Sequence, residues 1–163
     1  MDFGFTNDPT TAIDVYLQNG ELWLDEVLWE RGLTNPQIYK RLLEEDPASR
    51  RKRIIADSSE PKSIQELRDL GLPIEGADKG PDSVRAGIDS LKRYKMNVTQ
   101  RSTNLCKELG NYKWKIDKAT GLATNAPIDA FNHGLDPVRY VGRATMPALS
   151  LPRRRMAAPV TLR

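Results

Sequence analysis

One cysteine, Cys106, and one histidine, His133, are all that the chain has of either residue. A lone thiol forms no internal disulfide, and one thiol with one imidazole cannot build a zinc-finger type site. Any bound metal must therefore take mainly carboxylate oxygens, which favours hard ions such as magnesium or manganese. No apolar run approaches the length that crosses a bilayer. The basic-then-apolar pattern of a secretory signal is also missing. The expectation is a cytoplasmic protein with no membrane partner. No internal repeat is present.

What remains is an ordinary globular composition: 163 residues, 39% hydrophobic and 29% charged. That suits one domain around one core. The net charge of +3 is compatible with nucleic acid but does not demand it. Two basic runs stand out, Arg50 to Arg53 and Arg153 to Arg155. Each taken alone reads as a solvated surface.

The first thirty residues carry strand patterns. Asp2 to Thr6 alternates, with a turn at Asn7-Asp8-Pro9. Thr11 to Leu17 and Glu21 to Trp29 flank Asn19-Gly20, a strong hairpin signal. Together they predict a three-stranded antiparallel meander. Helical spacing then follows Thr34, which caps Ile38, Tyr39, Leu42 and Leu43 before Pro47 ends the run. Short strands are predicted at Arg53 to Ala56, Ile74 to Ala77 and Met96 to Thr99. Between them lie helices opened by Pro61 (Ile64, Leu67, Leu70) and by Pro81 (Val84, Ile88, Leu91). A helix from Ser102 to Leu109, an extended arm from Tyr112 to Ile116 and a last helix from Asn132 to Thr145 complete the pattern. Cys106 is expected to be buried and inert, and Trp23, Trp29 and Trp114 to pack in the core or along an edge strand. The reading is an α/β domain over residues 1–145, a mixed sheet in which the meander is joined by parallel strands and flanked by helices. Residues 146–163, rich in proline and arginine, read as a tail that is disordered in isolation.

Three acids occupy unusual places. Asp2 lies in the first strand, Asp57 ends the apolar strand Ile54-Ile55-Ala56, and Asp136 lies on the last helix. If the first and fourth strands are neighbours, Asp2 and Asp57 converge at one sheet edge, and a helix packed there brings in Asp136. Converging carboxylates repel one another, and a divalent cation is the usual remedy. Two ions about 3.5–4 Å apart clamp the oxygens of a phosphodiester. The plainer reading stays open beside it: Asp57 caps the turn before Pro61, and Asp136 caps its helix before Pro137.

Four blocks then resemble one family. Asp2-Phe3-Gly4-Phe5-Thr6-Asn7-Asp8-Pro9-Thr10 resembles the opening of the C-terminal nuclease domain in the terminase large subunits of tailed bacteriophages. Ala56-Asp57-Ser58-Ser59-Glu60-Pro61-Lys62-Ser63-Ile64 is similar to its second acidic block. Ala77-Asp78-Lys79-Gly80-Pro81-Asp82-Ser83-Val84, followed by Gly87-Ile88, is similar to its lysine-glycine block. Asn132-His133-Gly134-Leu135-Asp136-Pro137-Val138-Arg139-Tyr140 resembles its third acidic block. All four stand in family order between residue 2 and about residue 142.

The resemblance implies an RNase H-like fold and a metal-dependent endonuclease that cuts concatemeric double-stranded viral DNA during packaging. Two magnesium or manganese ions are implied, with Asp2, Asp57 and Asp136 as their ligands. His133, one helical turn before Asp136, then orients water, moves a proton or touches the phosphate; a hydrogen-bonded structural histidine is the equal alternative. Asp8 is an auxiliary ligand or a turn-forming residue before Pro9. Lys79, beside a helix start, suits a phosphate. Lys62, Arg68 and Lys113 are weaker DNA contacts. Some relatives carry Glu where Asp57 stands, and the shorter arm bears on metal spacing. No Gly-x-x-x-x-Gly-Lys-Ser/Thr loop is present, so the ATPase motor half is expected elsewhere, and Met1 directly before the first strand reads as an excised domain with an added start. Partners implied for the full-length protein are that motor, the portal and the small terminase subunit, in the cytoplasm of the bacterial host. The isolated domain is expected to be monomeric. Two rival readings are another RNase H-like nuclease, such as a junction resolvase, and a non-enzymatic docking module of the packaging motor.

Overall fold

In a computed structural model, residues 1–145 are described; the tail expected over 146–163 lies outside the described residues. The hairpin predicted at Asn19-Gly20 forms, with β1 (Thr10–Gln18) antiparallel to β2 (Glu21–Glu30). Both turn residues take positive φ, 52° at Asn19 and 77° at Gly20, as a tight primed turn requires. The first arm of the expected meander is shorter than its alternation suggests. It contracts to a single bridge, in which Asp2 N–H donates to Thr11 O and Thr11 N–H to Asp2 O, at 3.0 and 2.9 Å.

The parallel strands then build outwards on both sides. β3 (Ile54–Ala56) pairs in parallel with β4 (Ile74–Gly76), and β5 (Lys95–Val98) pairs in parallel with β2. Met1 and Asp2 stitch the two sheets together. The Met1 nitrogen donates to Ile55 O at 2.7 Å, and Asp57 N–H donates to Met1 O at 3.0 Å. The spatial order is therefore β4-β3-(residues 1–2)-β1-β2-β5. This neighbour relation is the one that convergence of Asp2 and Asp57 requires. A separate hairpin, β6 (Trp114–Ile116) and β7 (Ala123–Pro127), stands off the main sheet.

Helices cover both faces. α1 (Asn35–Glu45) and α2 (Pro61–Asp69) bury Ile38, Leu42, Ile64 and Leu67 with Val27 and Leu28. A short 3-10 turn, Pro47–Arg50, follows α1. On the opposite face, α3 (Ser83–Leu91), α4 (Thr103–Asn111) and α5 (Leu135–Thr145) bury Leu91, Leu105 and Val138 with Ile13, Leu22 and Leu24. Consecutive residues Val27 and Leu28 reach the same side because the register shifts between Ala12 and Ile13, so that Ala12 faces Leu28 and Ile13 faces Glu26. Such a bulge re-aims everything beyond it. Trp29 and its partner Thr11 then face α5, where Thr11 Oγ1 donates to His133 O at 2.6 Å.

Two sequence expectations need correction. α3 starts at Ser83, because Asp82 adopts a left-handed φ of 57° that interrupts the helix Pro81 was expected to open. Its inward stripe is Ser83, Gly87 and Leu91, and Val84 is exposed; the helix is rolled so that small residues meet α5. Cys106 is exposed rather than buried, because α4 turns Leu105 and Glu108 inward instead. Trp23 stands 44% exposed on β2, and Trp114 is half-buried beneath the Lys92 ammonium, 5.0 Å from its ring.

Asp25 ties β2 to the loop before α4. It accepts from Arg101 Nε at 2.8 Å and from Thr99 Oγ1 at 2.5 Å. The Arg101 guanidinium holds its carboxyl below the ordinary range. A depressed carboxylate adds stability above its unfolded value of about 3.9, and that stability is lost as pH falls through the folded value. Arg101→Ala is therefore expected to narrow the drop in unfolding midpoint between neutral and acidic pH. Thermal scans at both pH values check this, and equal drops in the two proteins would count against the pairing.

Candidate functional site

β3 ends at Ala56, so the next residue, Asp57, projects from the end of that inner strand, next to the Met1-Asp2 segment. Its Oδ1 accepts from Ser59 N–H at 2.7 Å, from the Ser59 hydroxyl and from the Lys79 ammonium. Its Oδ2 accepts from Tyr140 OH at 3.3 Å. Burial pushes the Asp57 carboxyl up, but Lys79 and the two Ser59 donors outweigh it and hold the group at about 2. The turn-capping role and the charge-bearing role of Asp57 therefore coexist: Oδ1 closes the Asp57-Ser59 turn while Oδ2 stays outside it.

His133, Gly134 and Asp136 are presented by the N-terminus of α5, which a relay of carboxylates positions. The first turns of helices carry unpaired N–H groups and a partial positive charge. Glu26 on β2 accepts from Asn104 N–H at 3.1 Å and Leu105 N–H at 2.9 Å at the start of α4. Glu108 on α4 then accepts from His133, Gly134 and Leu135 N–H at 2.9, 2.7 and 3.2 Å at the start of α5. Glu108 is 3% exposed. Burial pushes its carboxyl up against those three donors.

His133 lies between two acids, with Nδ1 3.6 Å from Asp2 Oδ2 and Nε2 3.4 Å from Asp8 Oδ1. The Asp2 carboxylate beside Nδ1 raises the imidazole's affinity for a proton more than burial lowers it, and Asp8 adds to the rise. Asp8 reaches this position on a loop tied to the end of β2, where Gly32 N–H donates to Phe5 O at 2.9 Å and Arg31 Nε to Asn7 O at 2.8 Å. Asp136 accepts from Arg139 Nε on the next turn at 3.1 Å, with Nη2 in ion-pair contact at 3.0 Å. Burial raises the Asp136 carboxyl; Arg139 works against that rise and the Asp2 charge adds to it.

Tyr140, the last residue of the third acidic block, is the hub of this arrangement, although the block gave it no role. Its ring lies under both Lys79 Nζ, at 5.6 Å, and the Arg139 guanidinium, at 4.9 Å. Burial raises its phenol, and the charges of Asp136, Asp2 and Asp57 all push the same way. The charges of all three acids therefore reach one side chain, and Asp57 touches it. Glu108 and Tyr140 both escaped the sequence reading: a buried glutamate on an amphipathic helix and a tyrosine at helical spacing look like surface and core.

Among the described residues, no three His, Cys, Asp or Glu side chains stand close enough to hold a metal as they are. Each acid instead meets a basic group: Asp2 and Asp8 meet His133, Asp57 meets Lys79, and Asp136 meets Arg139. The donor set nevertheless fits a hard divalent cation in kind, since it is carboxylate oxygen around one pocket. The other expected contacts are more scattered. Lys62 is exposed on α2, and Lys113 is exposed just before β6. Arg68 is tied inward, donating to Ile74 O from Nε at 3.2 Å and from Nη2 at 2.8 Å.

Comparison with known proteins places this arrangement among relatives. The family model of the terminase RNase H-like domain matches residues 2–141. The chain is 34% identical over 149 residues to the terminase large subunit of Bacillus phage SPP1, covering 86% of the chain and 34% of that protein. It is 31% identical over 121 residues to the PBSX phage terminase large subunit of Bacillus subtilis strain 168, covering 72% of the chain and 28% of that protein. The chain thus spans about a third of the length of these relatives. Among solved structures, the nuclease domain of the bacteriophage SPP1 large terminase, crystallised with bound Mn, superposes with a TM-score of 0.75 at 29% identity, covering 87% of this chain and 82% of that one.

Proposed function

Since the chain belongs to the terminase RNase H-like domain family, we propose that it is a divalent-metal-dependent endonuclease that hydrolyses double-stranded viral DNA during genome packaging. The observation that supports this reading is that Tyr140 on α5 hydrogen-bonds Asp57 at the end of β3, while His133 before the same helix lies 3.6 Å from Asp2 and Asp136 lies in its first turn. Manganese bound to the SPP1 nuclease domain supports the same class of cofactor here.

Asp2, Asp57 and Asp136 would hold magnesium or manganese, two ions in the expected arrangement, with Asp8 as a further oxygen donor. Bound there, such ions stabilise the charge that develops on the attacking and leaving oxygens of a phosphodiester. The chain's own groups do the rest. Lys79 is the ammonium beside Asp57, free to swing because its side chain is 36% exposed, and it offers a positive charge to a backbone phosphate. His133 turns Nε2 toward Asp8, from where a proton on that nitrogen can be passed to a departing oxygen. Tyr140 keeps Oδ2 of Asp57 oriented. The carboxylate relay through Glu26 and Glu108 keeps His133 and Asp136 on a rigid helix start, which the chemistry needs. Concatemeric DNA as substrate, and the motor, portal and small subunit as partners, follow from the family relation and belong to the same proposal.

A plasmid-cutting assay with manganese, magnesium or EDTA is the direct test. Conversion of supercoiled to relaxed and linear DNA is expected with either ion and none with EDTA. Cutting that persists in EDTA would refute the metal reading. Preference for branched over linear duplex would instead point to a junction resolvase, and DNA or portal binding without any cutting to a docking module.

A further inference from the structure

Arg139 is an arginine with only 5% of its surface exposed, an unusual place for this residue type. Its guanidinium donates from Nε to Oδ1 of Asp136 at 3.1 Å, with Nη2 in ion-pair contact with the same oxygen at 3.0 Å. Among the described residues, Oδ2 of Asp136 accepts no hydrogen bond from the protein. Behind the guanidinium, the aliphatic stem of Arg139 lies on α3 at Gly87. A Cβ at position 87 would sit 2.2 Å from Arg139 Cγ and 2.8 Å from Cδ. These are the root atoms of a buried side chain, not its flexible end.

The two other basic groups of the site differ in this respect. Lys79 is 36% exposed at the side chain and His133 28%, against 6% for the Arg139 side chain. Lys79 can leave for solvent when a cation arrives; Arg139 has nowhere to go. It grips one oxygen of Asp136 from the interior, while the carboxylate itself keeps 19% exposure. A planar guanidinium on a packed stem holds its partner oxygen in one place better than a flexible ammonium does.

We propose that Gly87 and Arg139 are positioning residues for Asp136. Gly87 leaves the space on α3 that lets the Arg139 stem lie flat, and Arg139 fixes Asp136 so that Oδ2 is presented to a divalent ion. This rests on the reading of Asp136 as a metal ligand. It also assigns a purpose to the rolled face of α3: the helix turns Gly87, rather than Val84, toward α5.

The test is Mn2+ binding by isothermal titration calorimetry to the 163-residue protein, with thermal unfolding recorded for every variant. Arg139→Lys keeps the aliphatic stem and the charge but loses the planar Nε–H donor. It is expected to fold and to bind Mn2+ about tenfold more weakly, the scale typical of groups that orient a metal ligand. Gly87→Ala is expected to weaken binding to a similar extent. In an Arg139→Ala background Gly87→Ala should change the affinity no further, because its effect runs through the missing side chain. A role in the fold alone would instead move the unfolding midpoint and weaken Mn2+ binding equally in both backgrounds, which overturns the proposal. Unchanged affinity in Arg139→Lys also overturns it, as does tighter binding in Arg139→Ala, which would make Arg139 a competitor of the metal. If Asp136→Asn weakens Mn2+ binding and Arg139→Lys does not, this proposal fails alone. If the unaltered protein binds no Mn2+, the metal reading fails and this inference with it.

Discussion

Asp57→Asn is expected to give a folded protein that no longer cuts DNA. Asparagine keeps the shape of the side chain and an acceptor for Ser59 N–H, so the turn after β3 survives. It loses the negative charge that faces Lys79 and the oxygen that accepts from Tyr140 OH. The Lys79 partner is a third exposed, and exposed ion pairs contribute about 0–1 kcal/mol. For a domain of this size that corresponds to a shift of about 2–4 °C or less in the unfolding midpoint. The rate effect is of another order. If Asp57 holds a catalytic ion, its charge is needed in every turnover, and a loss of about a thousandfold or more is expected. That is roughly 4 kcal/mol of transition-state stabilisation at 1.36 kcal/mol per tenfold. Plasmid nicking in manganese, alongside a thermal scan, separates the two effects. Cutting at the unaltered rate would rule Asp57 out of the site.

Glu108→Ala carries the largest expected cost in stability. Glu108 is the shared acceptor for three N–H groups at the start of α5, in a setting almost closed to water. Removing it strands those donors and leaves space beside Leu105 and Gly134. Each lost hydrogen bond of this kind costs about 1 kcal/mol, so a loss of about 3 kcal/mol is expected. The midpoint should fall by roughly 10 °C. Cleavage should fall too, because His133 and Asp136 ride on that helix start. Glu108→Gln keeps one acceptor oxygen and should recover much of the stability. An alanine variant that melts with the unaltered protein would show that α5 is positioned by something else. The two substitutions also make a contrasting pair: Asp57→Asn removes activity at nearly constant stability, whereas Glu108→Ala removes both.

Local chemistry made most of the elements readable. The Asn19-Gly20 turn, the proline-opened α2 and the apolar strand before Asp57 depend on neighbours within a few residues, so their signals are written locally. The first arm of the meander was legible as alternation, but how far it pairs is not a local property. Pairing stops at Asp2 and Thr11, because the loop that carries Asp8 is tied instead to the end of β2 at Gly32. The face that α3 turns inward was misread for a related reason. Val84 and Ile88 are the more apolar residues, yet close packing on Arg139 selects the side that lacks a Cβ.

The sequence alone determined the family, because four blocks in order carry a resemblance that any one block lacks, and those blocks are what single out Asp2, Asp57 and Asp136 as the proposed set. It also determined the class of donor, since a chain with one cysteine and one histidine has little but carboxylate to offer a metal. Only the tertiary structure decided how those acids are held. Glu26, Glu108, Gly87, Arg139 and Tyr140 act across helix and strand boundaries, through hydrogen bonds and contacts between residues tens of positions apart. Such long-range pairings are fixed by packing, and spacing along the chain leaves no trace of them.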